Sequence, residues 1–256
     1  MSDRQFAIWE GVYEDWEDAP VIEGAFDSSK WLDDQTALAR KERLDYQQFT
    51  GHISPNAISH DYILPTVLAM VAADDRKLRV LDFGGGLASS YLPLIASLPE
   101  RGNIEFHVVE SRGVCERGRE LFASDMNLFF HEEIPTSGHY DVIHAGRSFQ
   151  YVDDWRGLLH SFADLEPDYL VLAGVLAGEN RSFVSLQNYY GYKIRVRFLN
   201  FAELIEETEK CGFEMLGKSL HLSKRLGKTG PLPMENLPEM YRLEHPCQLL
   251  FRWKRP

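Results

Sequence analysis

The chain has 256 residues, 44% of them hydrophobic, and a formal net charge of -12. That is apolar material enough to bury a full core, and the acidic balance excludes a general nucleic-acid surface, which relies on clustered Lys and Arg. No apolar run approaches the roughly 20 residues that span a bilayer. The N-terminal MSDRQFAIWEG also lacks the basic-then-apolar order of a signal peptide, so the expected location is the cytoplasm. Cys115, Cys211 and Cys247, scattered and odd in number, suit reduced thiols rather than a disulfide framework or a zinc site.

Residues 1–31 set Trp9, Trp16 and Trp31 among Asp and Glu, as in IWEGVYEDWEDAP. Bulky aromatics in an acidic, glycine-punctuated segment suit either a structural arm or a lid over a pocket. Residues 33–50 have a helix-forming composition and stop at Gly51, with Arg40, Lys41 and Arg43 as a solvated face. Ser54 and Pro55 start a second helix, expected to run to Ala73 with a kink at Pro65. An alternation follows: strand 78–83, helix 87–98, strand 104–109, helix 113–123, strands 126–130 and 140–145, helix 154–165 and strand 168–173. Such alternation means a mostly parallel sheet with helices on both faces. Residues 178–198 then interpose before an amphipathic helix over 200–211, which Gly212 terminates. Strands at 213–219 and 248–253 bracket an insertion rich in Lys, Gly and Pro.

The chemistry centres on VLDFGGGLASSY, residues 80–91. A strand, three glycines and a helix start let the chain turn sharply and bring a ligand against bare backbone, with a helix N-terminus behind it. In the dinucleotide register G-x-G-x-x-G the third glycine falls on Ser89. The register D-x-G-x-G-x-G fits better, with Asp82, Gly84, Gly86 and Ala88. It resembles motif I of the class I S-adenosylmethionine (SAM)-dependent methyltransferases, where the acidic residue lies near the cofactor's amino-acid end. Glu110, which closes the next strand in IEFHVVE, is one strand-helix-strand unit further on, where an acidic side chain accepts hydrogen bonds from ribose hydroxyls.

Three further stretches, IWEGVYEDWEDA, YDVIHAGRSFQYVDDW and FVSLQNYYGY, are similar to a family of methyltransferases that recurs among bacterial surface-polysaccharide and secondary-metabolite gene sets. The resemblance implies an α/β fold: a doubly wound, mostly parallel seven-stranded Rossmann-like sheet, ended by a reversed hairpin and preceded by a helical, aromatic arm. Its domains would be an arm with helices over 1–75, a candidate lid, and a SAM-binding methyltransferase domain over 76–256 with insertions at 178–198 and 220–246. It implies SAM as cofactor, held by Asp82, Gly84, Gly85, Gly86, Glu110 and Ala145. One departure stands out: the acid that commonly holds adenine falls on Phe130 or His131, in NLFFHEEIP. The neighbouring His131, Glu132 and Glu133 do not face one point without a special turn, so no metal is expected.

Methyl transfer asks the protein to align the acceptor, exclude water and take a proton where the acceptor is a hydroxyl. The acceptor belongs beyond the carboxyl ends of the parallel strands, beside His144 and Tyr151, the candidate catalytic residues. Both also have plain structural roles open to them, and Asp153 and Asp154 suit helix capping. Lys193, Arg195 and Arg197 project from one face of a strand, and Lys218, His221, Lys224, Arg225 and Lys228 crowd the late insertion. The first three are candidate substrate-binding residues for an anionic acceptor such as a nucleotide-activated sugar, whose hydroxyl would receive the methyl group. A non-catalytic SAM-binding protein and an NAD(P)-dependent reductase are the alternatives.

Overall fold

The computed structural model describes residues 6–22, 24–26, 28–47, 62–72, 76–97, 103–222, 224–225 and 228–254. In chain order, β1 (Trp9–Tyr13), α1 (Ser29–Gln47) and α2 (Ile63–Val71) precede the alternating part. That part is β2 (Leu78–Phe83), α3 (Tyr91–Ser97), β3 (Ile104–Val109), α4 (Arg112–Leu121), β4 (Leu128–His131), β5 (Val142–Gly146), α5 (Trp155–Ala163) and β6 (Tyr169–Val175). Then come β7 (Ala177–Gly178), β8 (Phe183–Tyr189), β9 (Tyr192–Asn200), α6 (Phe201–Lys210) and β10 (Phe213–Leu220). The short strands β11 (Lys224–Arg225) and β12 (Lys228–Thr229) and the long β13 (Cys247–Trp253) complete the described elements.

Seven strands form the main sheet in the order β10-β13-β6-β5-β2-β3-β4. Within it β13 runs antiparallel to both of its neighbours, whereas β2, β3, β4, β5 and β6 pair in parallel. The central strands are apolar on both sides because both faces are covered. Val80, Val108, Val142 and Val171 pack under Leu68 of α2 and Leu94 of α3. Leu81, Ile143 and Leu172 pack under Phe162 of α5 and Leu204 of α6. The expected doubly wound sheet and its reversed final strand are therefore present.

A second sheet, β1-β8-β9-β7, was not expected. Residues 178–198 fold largely into the β8–β9 hairpin, and β1 from the N-terminal arm adds to it antiparallel, pairing Trp9 with Gln187. Trp9 has no exposed surface and meets Phe198 edge-on at 5.8 Å. The arm is thus built into the same layer as the insertion 170 or so residues later.

Some boundaries differ from expectation for local reasons. The helix expected over 87–98 begins only at Tyr91, because Gly86 (φ +57°) and Ala88 (φ +58°) are left-handed and cannot continue a right-handed helix. The strands expected over 126–130 and 140–145 start at Leu128 and Val142; Asp141 instead accepts a hydrogen bond from the Arg79 backbone N–H (2.7 Å). Helix α1 begins at Ser29, and its expected end at 48–50 lies outside the described residues, as does the expected helix start at Ser54. Pro65 sits in the first turn of α2 as described, where its missing N–H costs nothing. Asp154 caps α5 through the Gly157 N–H (2.8 Å), and Gly212 (φ +96°) closes α6.

Candidate active site

The glycine turn leaves the carboxyl end of β2, and its backbone follows the register of the sequence motif. Gly84 (φ +65°), Gly86 and Ala88 all take left-handed conformations, so the place where the motif has its last glycine is occupied by an alanine in a glycine's conformation. Close packing adds a second requirement. A Cβ on Gly84 would lie 2.3 Å from the Ser148 Cβ, and one on Gly85 would lie 2.4 Å from Asp82 Oδ2. Ser148, which follows β5, donates its hydroxyl to the Phe83 carbonyl at 2.6 Å. The loop after β5 is thereby fastened onto the glycine turn.

Asp82 and His144 are register partners on β2 and β5, both buried, and His144 Nδ1 lies 2.7 Å from Asp82 Oδ1. The pair sits on the α2/α3 face of the sheet. Asp82 Oδ2 is buried and has no hydrogen-bond partner among the described residues. An orphaned carboxylate oxygen in a dry site is costly unless a donor reaches it, and the ammonium of a SAM head group is such a donor. Glu110, 24 residues after Gly86, meets it in space: its Oε1 accepts from the Gly86 N–H (3.1 Å) and its Oε2 from the Ser111 N–H (2.8 Å). A carboxylate has about four acceptor sites, so ribose hydroxyls can share this one. The acid at the end of β2, the left-handed turn and the acid at the end of β3 fit the cofactor.

Other candidates fall elsewhere. Ala145 directs its methyl into the core under α5 and offers the site backbone alone. His131 has its Nε2 2.9 Å from His107 Nδ1. Burial, then the nearby His131 and Arg79, pushes the His107 imidazole down to about 4.

Tyr151 lies in a 3-10 turn after β5 and donates to Gln187 Oε1 of β8 at 2.8 Å, joining the main sheet to the second one. Its ring and that of Phe26 are 5.5 Å apart, and Phe26 packs with Trp31 against Leu87 of the glycine turn. Trp16, Phe26, Tyr151, Ile194 and Arg195 line a groove of about 240 Å³. Lys193, Arg195 and Arg197 do share one face of β9, opposite the buried Ile194, Val196 and Phe198. Their partners differ. Lys193 pairs with Glu10 (2.6 Å), and Arg197 pairs with Asp153 (3.0 Å) under the Trp16 ring. Arg195 donates to the carbonyls of Ala19 (2.9 Å) and Glu17 (3.4 Å) and still reaches the groove. Lys218 stacks on Phe201 at 3.7 Å, and His221 is buried beside Gln248 (3.0 Å).

Sequence reasoning missed Ser148, whose role depends on a contact across 65 positions, and the groove-lining Phe26, whose partners Trp31, Tyr151 and Tyr189 come from three separate segments. No helix among the described residues is long and apolar enough to cross a membrane.

A family model described as a methyltransferase domain matches residues 57–217. No curated protein matches the chain significantly. Among solved structures, SAM-dependent methyltransferase from Methanosarcina mazei is 14% identical, with 73% of this chain and 98% of that one covered and a TM-score of 0.53. The 1,6-didemethyltoxoflavin-N1-methyltransferase of Burkholderia thailandensis, solved with its namesake compound and S-adenosylhomocysteine, is 12% identical, with 93% of each chain covered and a TM-score of 0.51. At these identities the likeness is one of fold. The family match spans well over half of the sequence and contains the glycine turn, Asp82, Glu110 and His144, and on that ground the chain belongs to the methyltransferase-domain family, with SAM as its cofactor.

Proposed function

We propose that the protein methylates a hydroxyl of a small polar acceptor, a sugar or nucleotide-activated sugar, held in the groove between the N-terminal arm and β9. The observation that carries this is the composition of that groove. Trp16, Phe26 and Tyr151 offer aromatic faces to the C–H side of a sugar ring, and Arg195 offers a guanidinium suited to bidentate phosphate binding. Bound SAM supplies an electrophilic methyl group on a sulfonium. Asp82, the glycine turn and Glu110 hold that cofactor, and His144 positions Asp82 through Oδ1. Tyr151 lines the groove and is held by its bond to Gln187, which places its ring and hydroxyl to orient the acceptor. The arm covers the groove and keeps water out.

The experiment is a methyl-transfer assay with labelled SAM over phosphorylated sugars and their phosphate-free analogues. Arg195→Gln should raise the acceptor KM about tenfold or more, the effect of losing a charged hydrogen bond, with SAM affinity unchanged. Tyr151→Phe should lower kcat while sparing SAM binding. Equal turnover of a phosphorylated acceptor and its phosphate-free analogue by the wild-type protein would remove the anionic part of the proposal.

A further inference from the structure

We propose that Arg147 binds the carboxylate of the cofactor's methionyl head, so that the head is met by a cation from the loop after β5 and by Asp82 from β2. The inference rests on SAM as cofactor and adds a residue that the motif does not contain.

Arg147 is the first residue after β5, at the carboxyl end of the sheet, and it is a non-glycine residue with φ +59°. Left-handed backbone costs such a residue roughly 1–2 kcal/mol, and strain of this kind persists where the surroundings enforce it. They do so here from three sides. The Arg147 N–H donates to the Ala173 carbonyl at 2.7 Å. Its own carbonyl accepts from Gln150 Nε2 at 2.9 Å. The next residue is Ser148, fastened to the glycine turn.

The side chain is given a path as well. Gly174 on β6 has φ +68°, and a Cβ built there would come within 2.6 Å of the Arg147 Cγ and 3.1 Å of the His221 Cδ2. β6 is thus bare where Arg147 crosses it. Arg147 then lines a cavity of about 80 Å³ with His144, Ser89, Ser90, Leu64 and Leu94. This is the α2/α3 face, the face on which the Asp82–His144 pair lies.

The charge state of the neighbourhood completes the case. Arg43, Arg76, Arg79, Arg119, Arg156 and Arg197 each have a carboxylate partner. Arg147 has neither an ion pair nor a side-chain hydrogen bond among the described residues, in a chain of net charge -12. Glu42 of α1 faces it and feels its charge without pairing. A strained, exposed guanidinium left unpaired among excess carboxylates, over a cavity with two seryl hydroxyls, is arranged for an incoming anion. The anion that the cofactor brings to this end of the turn is its carboxylate.

The test is calorimetric titration of the wild-type protein, Arg147→Ala and Arg147→Lys with SAM and with decarboxylated SAM, which lacks only the carboxylate. The wild type should prefer SAM by about tenfold or more, the range of a charge-assisted contact. Arg147→Ala should bind both ligands alike, near the wild-type affinity for the decarboxylated one, and Arg147→Lys should recover part of the preference. Wild-type protein that binds the two ligands equally overturns the role of Arg147 while leaving SAM as cofactor. Wild-type protein that binds neither overturns both. Arg147→Ala with undiminished SAM affinity and a raised acceptor KM would hand the residue to the acceptor and also overturn the inference.

Discussion

Gly84 in the glycine turn and Gly191 in the β8–β9 hairpin have similar left-handed backbones, with φ +65° and +84°, but for different reasons. Around Gly84 there is no room: a Cβ would collide with Ser148. Around Gly191 nothing lies within 4 Å of the Cβ position. The main sheet needs its glycine for conformation and for close approach, and the second sheet needs its glycine for the turn alone. The same contrast runs through the polar groups. Asp82 and His144 are buried and paired at the end of the parallel strands, whereas Glu10 and Lys193 form a half-exposed pair that fastens the arm. One region packs around a buried polar pair at the strand ends, and the other fastens the arm through partly exposed charges.

The contrast can be broken at five points of decreasing size. Trp9 has no exposed surface and anchors β1 to β8, so Trp9→Ala should cost about 3–5 kcal/mol in urea unfolding and loosen the second sheet. A loss of under 1 kcal/mol would show that the arm is a detachable lid.

Acid should act on the main sheet. His107 is buried and held down at about 4, facing His131, Arg79 and Glu105, with the Phe129 and Tyr140 rings against it. The unfolded chain takes up that proton near 6.5, so the stabilisation is complete above pH 6.5 and is lost as the pH falls toward 4. The full loss is about 3 kcal/mol. Urea midpoints of wild type and His107→Gln at pH 7 and pH 5 check this, and the variant should be the less acid-sensitive of the two.

Gly84→Ala should cost about 2–4 kcal/mol and abolish SAM binding, because both the conformation and the contact with Ser148 are lost. Gly191→Ala should cost about 1 kcal/mol and leave SAM binding intact. Equal effects from the two substitutions would erase the distinction drawn above. Lys193→Ala should be the mildest, at about 0.2–1 kcal/mol, since both ends of its ion pair are partly exposed. A larger loss would mean that the pair helps to organise the groove.

The two regions were unequally legible in the sequence. The period of apolar residues, the D-x-G-x-G-x-A turn and the acid closing β3 are local signals, and the doubly wound, mostly parallel sheet with its reversed end follows from them and from the resemblance. The seven-stranded sheet with β13 reversed matches that expectation, whereas the order β10-β13-β6-β5-β2-β3-β4 depends on which strands meet in space and no local period encodes it. The second sheet was invisible because its pairing joins Trp9 to Gln187 across 178 positions, and no local period encodes such a contact. The Asp82–His144 bond was hidden for a related reason: each residue was legible as a site candidate, but their union depends on β2 and β5 being neighbours in register. The cations of β9 were assigned to one face from their alternation, correctly, yet their partners come from the arm and from the loop after β5. The family match runs over residues 57–217 and leaves outside it both β1 and α1 at one end and β11, β12 and β13 at the other.

The central claim is that Asp82, the glycine turn and Glu110 hold the cofactor while the arm-side groove holds the acceptor. A crystal structure with S-adenosylhomocysteine tests it most directly. The predicted result has the ammonium on Asp82 Oδ2, the ribose hydroxyls on Glu110 and the sulfur turned toward the groove lined by Tyr151 and Arg195. Ligand density away from Asp82 and Glu110, or a sulfur facing away from that groove, would contradict it.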